Sequence, residues 1–338
     1  MSQPDPSVVI DLIEAFRRSK TMFAAVSMGI FDRLAAGPAD ASTLAGAGDV
    51  DAHVEADVDA MERLLDACVG LSLLSKAGSL YTNTPVADAY LRRAGPRTLA
   101  GYVLYSNDVL FGLWSHLEDA VREGTHRWKQ EFGLEGPIFS HFFKTDQDMR
   151  TFLLGMHGFG QLSSPAVAAA FDLSRFRRLV DLGGATGHLA LAARARWPHL
   201  EAAVFDLSRV IEFAREFAGD SGVDLIAGDF FDDPLPPADL FALGRILHDW
   251  NEAKIHRLLT KIHERLPAGG ALLIAEKLLT PGKTGPVPAH MQSLNMLVCT
   301  EGKERTAAEY AALLEGAGFS RVDSRVTGTT LDAVLAVK

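Results

Sequence analysis

Cysteine is scarce in this chain: 338 residues carry two, Cys68 and Cys299. They are too few for a disulfide framework and too far apart for metal-ligand spacing, which fits a reducing compartment. Long apolar runs are missing, and nothing approaches the ~18 residues needed to span a bilayer. The amino-terminal stretch Met1-Ser-Gln-Pro-Asp-Pro lacks the basic start and apolar run of a secretory signal. A soluble, cytoplasmic protein is expected. Positive charge is also short, with 33 Lys and Arg against 43 Asp and Glu and a formal net charge of −10. That balance argues against non-specific binding to nucleic acid or to an anionic membrane. Internal repeats and low-complexity tracts are missing too. A content of 48% apolar and 22% charged residues describes an ordinary folded chain, long enough for two domains.

The most informative stretch is Leu179-Val-Asp-Leu-Gly-Gly-Ala-Thr-Gly187. A short apolar run meets an acid, then a loop with glycines at 183, 184 and 187, then a helical pattern from His188 to Arg196. Strand, glycine turn and helix make a pocket where a ligand lies against bare backbone at a helix start. The acid distinguishes this loop from a dinucleotide fingerprint, because a carboxylate there would repel a pyrophosphate. Asp181 suits a ligand carrying an ammonium group, such as the methionine part of S-adenosylmethionine (SAM). Asp206 ends a second apolar run 25 residues on, placed to accept from both ribose hydroxyls. A third run ends at Gly228-Asp229-Phe230, where Asp229 can accept from an adenine amino group and Phe230 can cover a ring face. A fourth leads through Gly244 to Arg245-Ile-Leu-His248-Asp249-Trp250, and a fifth ends at Glu276. Five runs ending in polar residues describe a parallel sheet with its ligand at the carboxyl ends of the strands.

The first hundred residues have a different texture. Helical patterns cover residues 8–34 and 59–74, a hairpin-like wing covers 75–83, and a short pattern follows from Pro85 to Leu91. This order suggests a winged helix-turn-helix. Residues 1–100 carry nine Lys and Arg against thirteen Asp and Glu, and the wing offers only Lys76. A DNA-reading wing needs a basic face, so a dimerisation element is expected instead. The acidic stretch from Asp49 to Asp59 lacks the glycine and terminal glutamate of a calcium loop at their offsets and reads as a solvated turn. Residues 99–170 are helical and aromatic, with periodic patterns from Trp114 to Arg122 and from Met149 to Met156. The expected division is a dimerisation domain at 1–98, a helical linker roofing the site at 99–170 and a catalytic domain at 171–338. Two strands around Gly328 close the sheet edge.

His248 follows the fourth strand directly and can accept a proton near neutrality. Glu276 and Glu304 follow at intervals of 28 residues each, about one βα unit, so both can return to the same rim of the sheet. A carboxylate bonded to one imidazole nitrogen fixes the tautomer and stabilises the imidazolium. Asp249 can serve as a helix cap beside them. No metal is expected, and no ligand cluster for one.

Six ordered motifs carry a resemblance: Asp181-Leu-Gly-Gly, Val204-Phe-Asp206-Leu207, Gly228-Asp-Phe-Phe, Arg245-Ile-Leu-His-Asp-Trp250, Ser293-Leu-Asn-Met-Leu297 and Glu301-Gly-Lys-Glu-Arg-Thr306. The chain resembles the SAM-dependent O-methyltransferases that include the plant caffeate and flavonoid enzymes and acetylserotonin O-methyltransferase. The nearest likeness is to the acetylserotonin O-methyltransferase-like members. The resemblance implies an α/β, Rossmann-like class I methyltransferase domain with a mostly parallel seven-stranded sheet and a C-terminal antiparallel hairpin, preceded by an α-helical, winged-helix dimerisation domain. It implies SAM as cofactor, S-adenosylhomocysteine as product, a small hydroxylated acceptor and a homodimer. Residue by residue, it makes His248 the general base, Glu276 and Glu304 its flanking acids, and Asp249 a supporting residue. Asp181, Gly183, Gly184, Asp206, Leu207, Gly228, Asp229, Phe230 and Arg245 fall on the cofactor side. Asn295 and Met296 fall on the acceptor strip, with Met156 and His157 as further acceptor contacts. Three positions depart: Phe143 and Gly160 stand where the acetylserotonin enzymes carry tyrosine and tryptophan near the cofactor, and Cys299 replaces a glutamine in the acceptor pocket. Three rival readings stay open: a non-methylating SAM hydroxylase or decarboxylase, a SAM-sensing regulator acting on DNA, and a dinucleotide oxidoreductase.

Overall fold

The computed structural model describes residues 4–46 and 56–338. Two compact units divide the chain, Met1–Phe111 and Gly112–Lys338. The helical segment expected as one linker at 99–170 is thus shared between them. Residues 49–55 of the acidic stretch lie outside the described residues.

In the first unit, the helical pattern at 8–34 is two helices, Ser7–Ser27 and Ile30–Leu34. Gly29 separates them with φ of +67°, a conformation glycine adopts without the Cβ penalty. The next long helix, Val58–Gly70, starts where Asp57 accepts a hydrogen bond from the Ala60 amide at 2.8 Å. It ends four residues before the expected stop, because Leu74 already belongs to the wing. That wing is an antiparallel hairpin, β1 (Leu74–Ala77) and β2 (Leu80–Asn83), turned at Gly78. Ile30, Phe31, Leu65, Cys68 and Tyr81 fill the core. Lys76, the wing's only cation, is held by Glu62 at 3.2 Å and Asp66 at 2.7 Å. Val8, Val9, Ile10, Leu12, Ile13 and Phe16 leave an apolar face of the first helix 55–69% exposed.

The second unit opens with short helices and the 24-residue helix Asp146–Ala169, whose start is a capping box between Thr145 and Asp148. Strands β3 (Arg178–Leu182), β4 (Glu201–Asp206), β5 (Asp224–Ala227), β6 (Leu240–Gly244) and β7 (Ala271–Glu276) follow, each pair linked through intervening chain. The hairpin β8 (Arg321–Arg325) and β9 (Asp332–Val337) completes the sheet. The order is β5-β4-β3-β6-β7-β9-β8. The first five strands are parallel, and β9 runs antiparallel to both β7 and β8. Every residue of β7 is buried, as its Ala-Leu-Leu-Ile-Ala run requires of a strand covered on both faces. Strand order reverses between β3 and β6, which opens a crevice at the carboxyl ends of those strands.

Candidate active site

Five strand ends build the site. At the end of β3, Asp181 is 1% exposed and its Oδ2 has no hydrogen-bond partner. Burial, reinforced by the nearby Asp206 charge, pushes this carboxyl up to about 8. The glycine loop fits tightly around it. A Cβ at position 184 would lie 2.7 Å from Asp181 Oδ2, and one at 183 would lie 2.6 Å from Ile246 Cδ1. Those residues are glycine because the volume is already taken. At the end of β4, Asp206 accepts from the Ala185 amide at 2.9 Å through Oδ2 and from the Leu207 amide at 2.7 Å through Oδ1. Each oxygen keeps a second lone pair, and burial raises this carboxyl to about 6. Beyond β5, the Phe205 ring fills the space over Gly228, and Asp229 Oδ1 accepts from the Phe231 amide at 2.7 Å. The Phe230 ring flanks Gly183. Arg245, after β6, has φ of +56°, a strained conformation for a non-glycine residue, and its buried Nε has no partner.

β6 and β7 bring His248 and Glu276 together. Glu276 is fully buried and Oε1 accepts from the amides of Ile246 at 3.0 Å, Leu247 at 2.9 Å and His248 at 3.4 Å. Its Oε2 lies 3.2 Å from His248 Nδ1. Glu304 Oε1 is 2.6 Å from the same nitrogen. Nδ1–H therefore sits between two carboxylates, and Nε2 makes no hydrogen bond to a described residue, with Asp249 Oδ1 3.8 Å away. Burial alone would push the imidazole down, but Glu276, Glu304 and Asp249 outweigh it and lift His248 to about 10. Burial also raises Glu276 and Asp249. The expectation of no ligand cluster needs correction: His248, Glu276 and Glu304 each place a ligand atom within 4.8 Å of the others. The 28-residue intervals already bring the three residues to one rim of the sheet; that their ligand atoms lie this close together is what the structure adds.

Glycine 302 was missed in the sequence, although it decides where Glu304 lies. A Cβ there would run into the backbone of His248 and Asp249, with His248 C at 2.7 Å. The Glu301 amide also donates to the Asp249 carbonyl at 3.1 Å. The segment 300–304 can lie this close to the His248 turn only without a side chain at 302. The signal was a lone glycine between two acids, legible only once the approach is seen.

The helix Val287–Cys299 carries the acceptor strip. Asn295 Oδ1 accepts from Trp114 Nε1 at 2.8 Å, and Trp128 Nε1 donates to the Cys299 carbonyl at 2.7 Å. The sequence shows Trp114 only as the start of a helical pattern and does not single out Trp128, yet both bond to this strip. Asn295, Met296 and Cys299 are all buried, and burial drives the Cys299 thiol upward. Met156 and His157 are half-buried on the long helix. His157, expected as an acceptor contact, has both ring nitrogens engaged: Nδ1 with Thr186 Oγ1 at 2.8 Å and Nε2 with Gln161 at 2.6 Å.

The family model described as an O-methyltransferase domain matches residues 114–320, and the O-methyltransferase dimerisation domain matches residues 10–93. This chain belongs to the SAM-dependent O-methyltransferases. It is 40% identical to acetylserotonin O-methyltransferase of Bos taurus, over 98% of this chain and 97% of that protein. A probable bifunctional dTTP/UTP pyrophosphatase/methyltransferase protein of Homo sapiens is 40% identical over 99% of this chain, which spans only 54% of that longer protein. The crystal structure of human N-acetylserotonin methyltransferase in complex with SAM aligns with a TM-score of 0.93 at 36% identity, covering 100% of this chain and 99% of that one.

Two of the departures now have surroundings. In this O-methyltransferase Phe143 meets Phe152 edge to face, it packs on the cluster of Met149, Leu153, Val210 and Phe213 that Ala185 of the glycine loop also packs on, and its carbonyl accepts from Arg209. The space over Gly160 is filled by the His188 ring. The sequence marks Gly160 as a departure and His188 as the start of a helical pattern, but nothing in it pairs the two.

Proposed function

We propose that the enzyme methylates a hydroxyl of a small aromatic or heteroaromatic acceptor, with SAM as methyl donor and His248 as general base. The observation that carries this reading is the imidazole held by Glu276 and Glu304 through Nδ1, which leaves Nε2 as the acceptor nitrogen. The cofactor fits the residues present. Asp181 Oδ2 is a buried acceptor without a partner, Arg245 Nε a buried donor without one, and the glycine loop passes as bare backbone between Asp181, Phe230 and Ile246, where side chains would not fit. Asp181 would hold the ammonium group, Asp206 the ribose hydroxyls, and Asp229 with Phe230 the adenine. When bound, SAM supplies an electrophilic sulfonium methyl group and leaves as S-adenosylhomocysteine.

His248 Nε2 takes the acceptor's proton as its oxygen forms the new C–O bond. Nδ1–H stays between the carboxylates, which stabilise the imidazolium. A phenol of pKa ~10 is mostly protonated at neutral pH; the carboxylates make His248 a base of matching strength, but they also keep most of the free enzyme as the imidazolium there, so turnover through Nε2 should rise with pH towards about 10. Asn295, Met296 and Cys299 line the acceptor side. We read the reaction as needing no metal: Nδ1 is committed to the carboxylates. The exposed apolar face of Ser7–Ser27, on the matched dimerisation domain, supports a homodimer.

His248→Ala is expected to keep SAM binding nearly intact and to cut turnover at least about a hundredfold, measured by calorimetry and by product formation. Unchanged turnover would remove His248 from the mechanism.

A further inference from the structure

Backbone bonds hold part of the glycine loop: the Gly187 amide donates to the Gly184 carbonyl and the Gly183 amide to the Phe205 carbonyl, each at 2.8 Å, and the Ala185 amide donates to Asp206 at 2.9 Å. Positions 183, 184 and 187 have no side chains, and the helix it opens, His188–Arg196, begins at Gly187 with φ of +78° and no side-chain cap. The rest of its conformation depends on what packs against it. The long helix Asp146–Ala169 does this through two reciprocal contacts. His157 on the helix meets Thr186 of the loop at 2.8 Å, and His188 at the end of the loop meets Ser164 of the helix through Nδ1 at 2.9 Å.

The second contact depends on a paired choice of residues. The His188 ring occupies the place where a Cβ at position 160 would stand, with its Cε1 only 2.5 Å from that point. A side chain at 160 and an imidazole at 188 exclude each other. Burial also keeps both histidines neutral, lowering His157 and taking His188 to about 3, with His157 and Arg245 adding to the effect on His188. A neutral imidazole can stay packed against the helix beside Arg245 without charge repulsion.

We infer that Gly160 and His188 act as one positioning unit, which sets the glycine loop in its cofactor-receiving shape from the side of the long helix. This rests on the reading of that loop as the SAM site. His188 is a positioning residue here and takes no part in the proton transfer at His248.

The test is a double-mutant cycle on S-adenosylhomocysteine affinity by calorimetry, with the dimeric full chain. Gly160→Ala and His188→Ala are each expected to weaken binding about tenfold or more and to raise the KM for SAM, while kcat at saturation stays within about threefold. In the double variant the new methyl group has room, so binding should be no weaker than in His188→Ala alone. Ser164→Ala removes the hydrogen bond with little change of volume and should cost about 3- to 10-fold in affinity. His188→Asn, which can still meet Ser164, should recover part of the loss. Multiplying effects in the double variant, or native affinity in Gly160→Ala, would overturn the pairing. If the alanine variants do not fold, native affinity in both Ser164→Ala and His188→Asn overturns it equally. Native enzyme that fails to bind S-adenosylhomocysteine would defeat the cofactor reading itself, which is a separate outcome.

Discussion

Asp181 is a carboxyl group placed where solvent cannot help it, with one oxygen unpartnered and a titration pushed up to about 8. Below that value it carries a proton. A bound ammonium group favours the carboxylate, so SAM binding at pH 7 should release a proton. Affinity should then rise with pH until about 8 and level off above it. Calorimetry in buffers of different ionisation heat measures the release directly. Binding with no proton exchange, or release that persists in Asp181→Asn, would assign the ammonium contact elsewhere. Asp181 was legible in the sequence because it directly follows an apolar run and precedes glycines. Asp206 and Glu276 were legible for the same reason, as each ends its strand, and Asp229 because it follows Gly228 just past the end of β5. Thr186 and His188 were not, because their partners His157 and Ser164 lie 29 and 24 residues away in the chain.

Elements bring the base and its acids together. β6 ends one turn before His248, β7 ends on Glu276, and the loop after Val287–Cys299 returns Glu304. That return depends on Gly302 lying against the His248 backbone, which a side chain's rotation cannot relieve. Gly302→Ala should displace Glu304 and lower turnover at least about a hundredfold, while SAM affinity stays within a few-fold, since the glycine loop follows a different strand. Native turnover in this variant would mean that the approach is not required. The five parallel strands and the closing hairpin could be read from apolar runs with their turn residues. Helix limits were read less well in the first unit. The apolar pattern crosses Gly29 unbroken, so periodicity joined two helices that backbone conformation separates, and it ran Val58–Gly70 on into Leu74 of the wing. The acceptor strip was placed by resemblance alone, since the indole hydrogen bonds that anchor it join residues more than 170 apart in the chain.

For the whole molecule, the wing of the first unit has its one cation, Lys76, paired with Glu62 and Asp66, an arrangement that does not favour a DNA backbone. Its exposed apolar helix face is the surface the proposed homodimer would cover. Light scattering at micromolar concentration should give a dimer, and Ile13→Glu with Phe16→Glu should give a folded monomer. A native monomer would contradict that assignment. Among the described residues, no helix is long and apolar enough to cross a membrane. The central claim is that this architecture moves a methyl group from sulfur to oxygen. Its most direct test supplies SAM carrying an isotopically labelled methyl group, together with hydroxylated indoles, phenols, quinones and flavonoids, and locates the label by mass spectrometry. The account predicts an acceptor that gains the labelled methyl on oxygen, with one S-adenosylhomocysteine formed for each product. A hydroxylated or decarboxylated product without the label would contradict it.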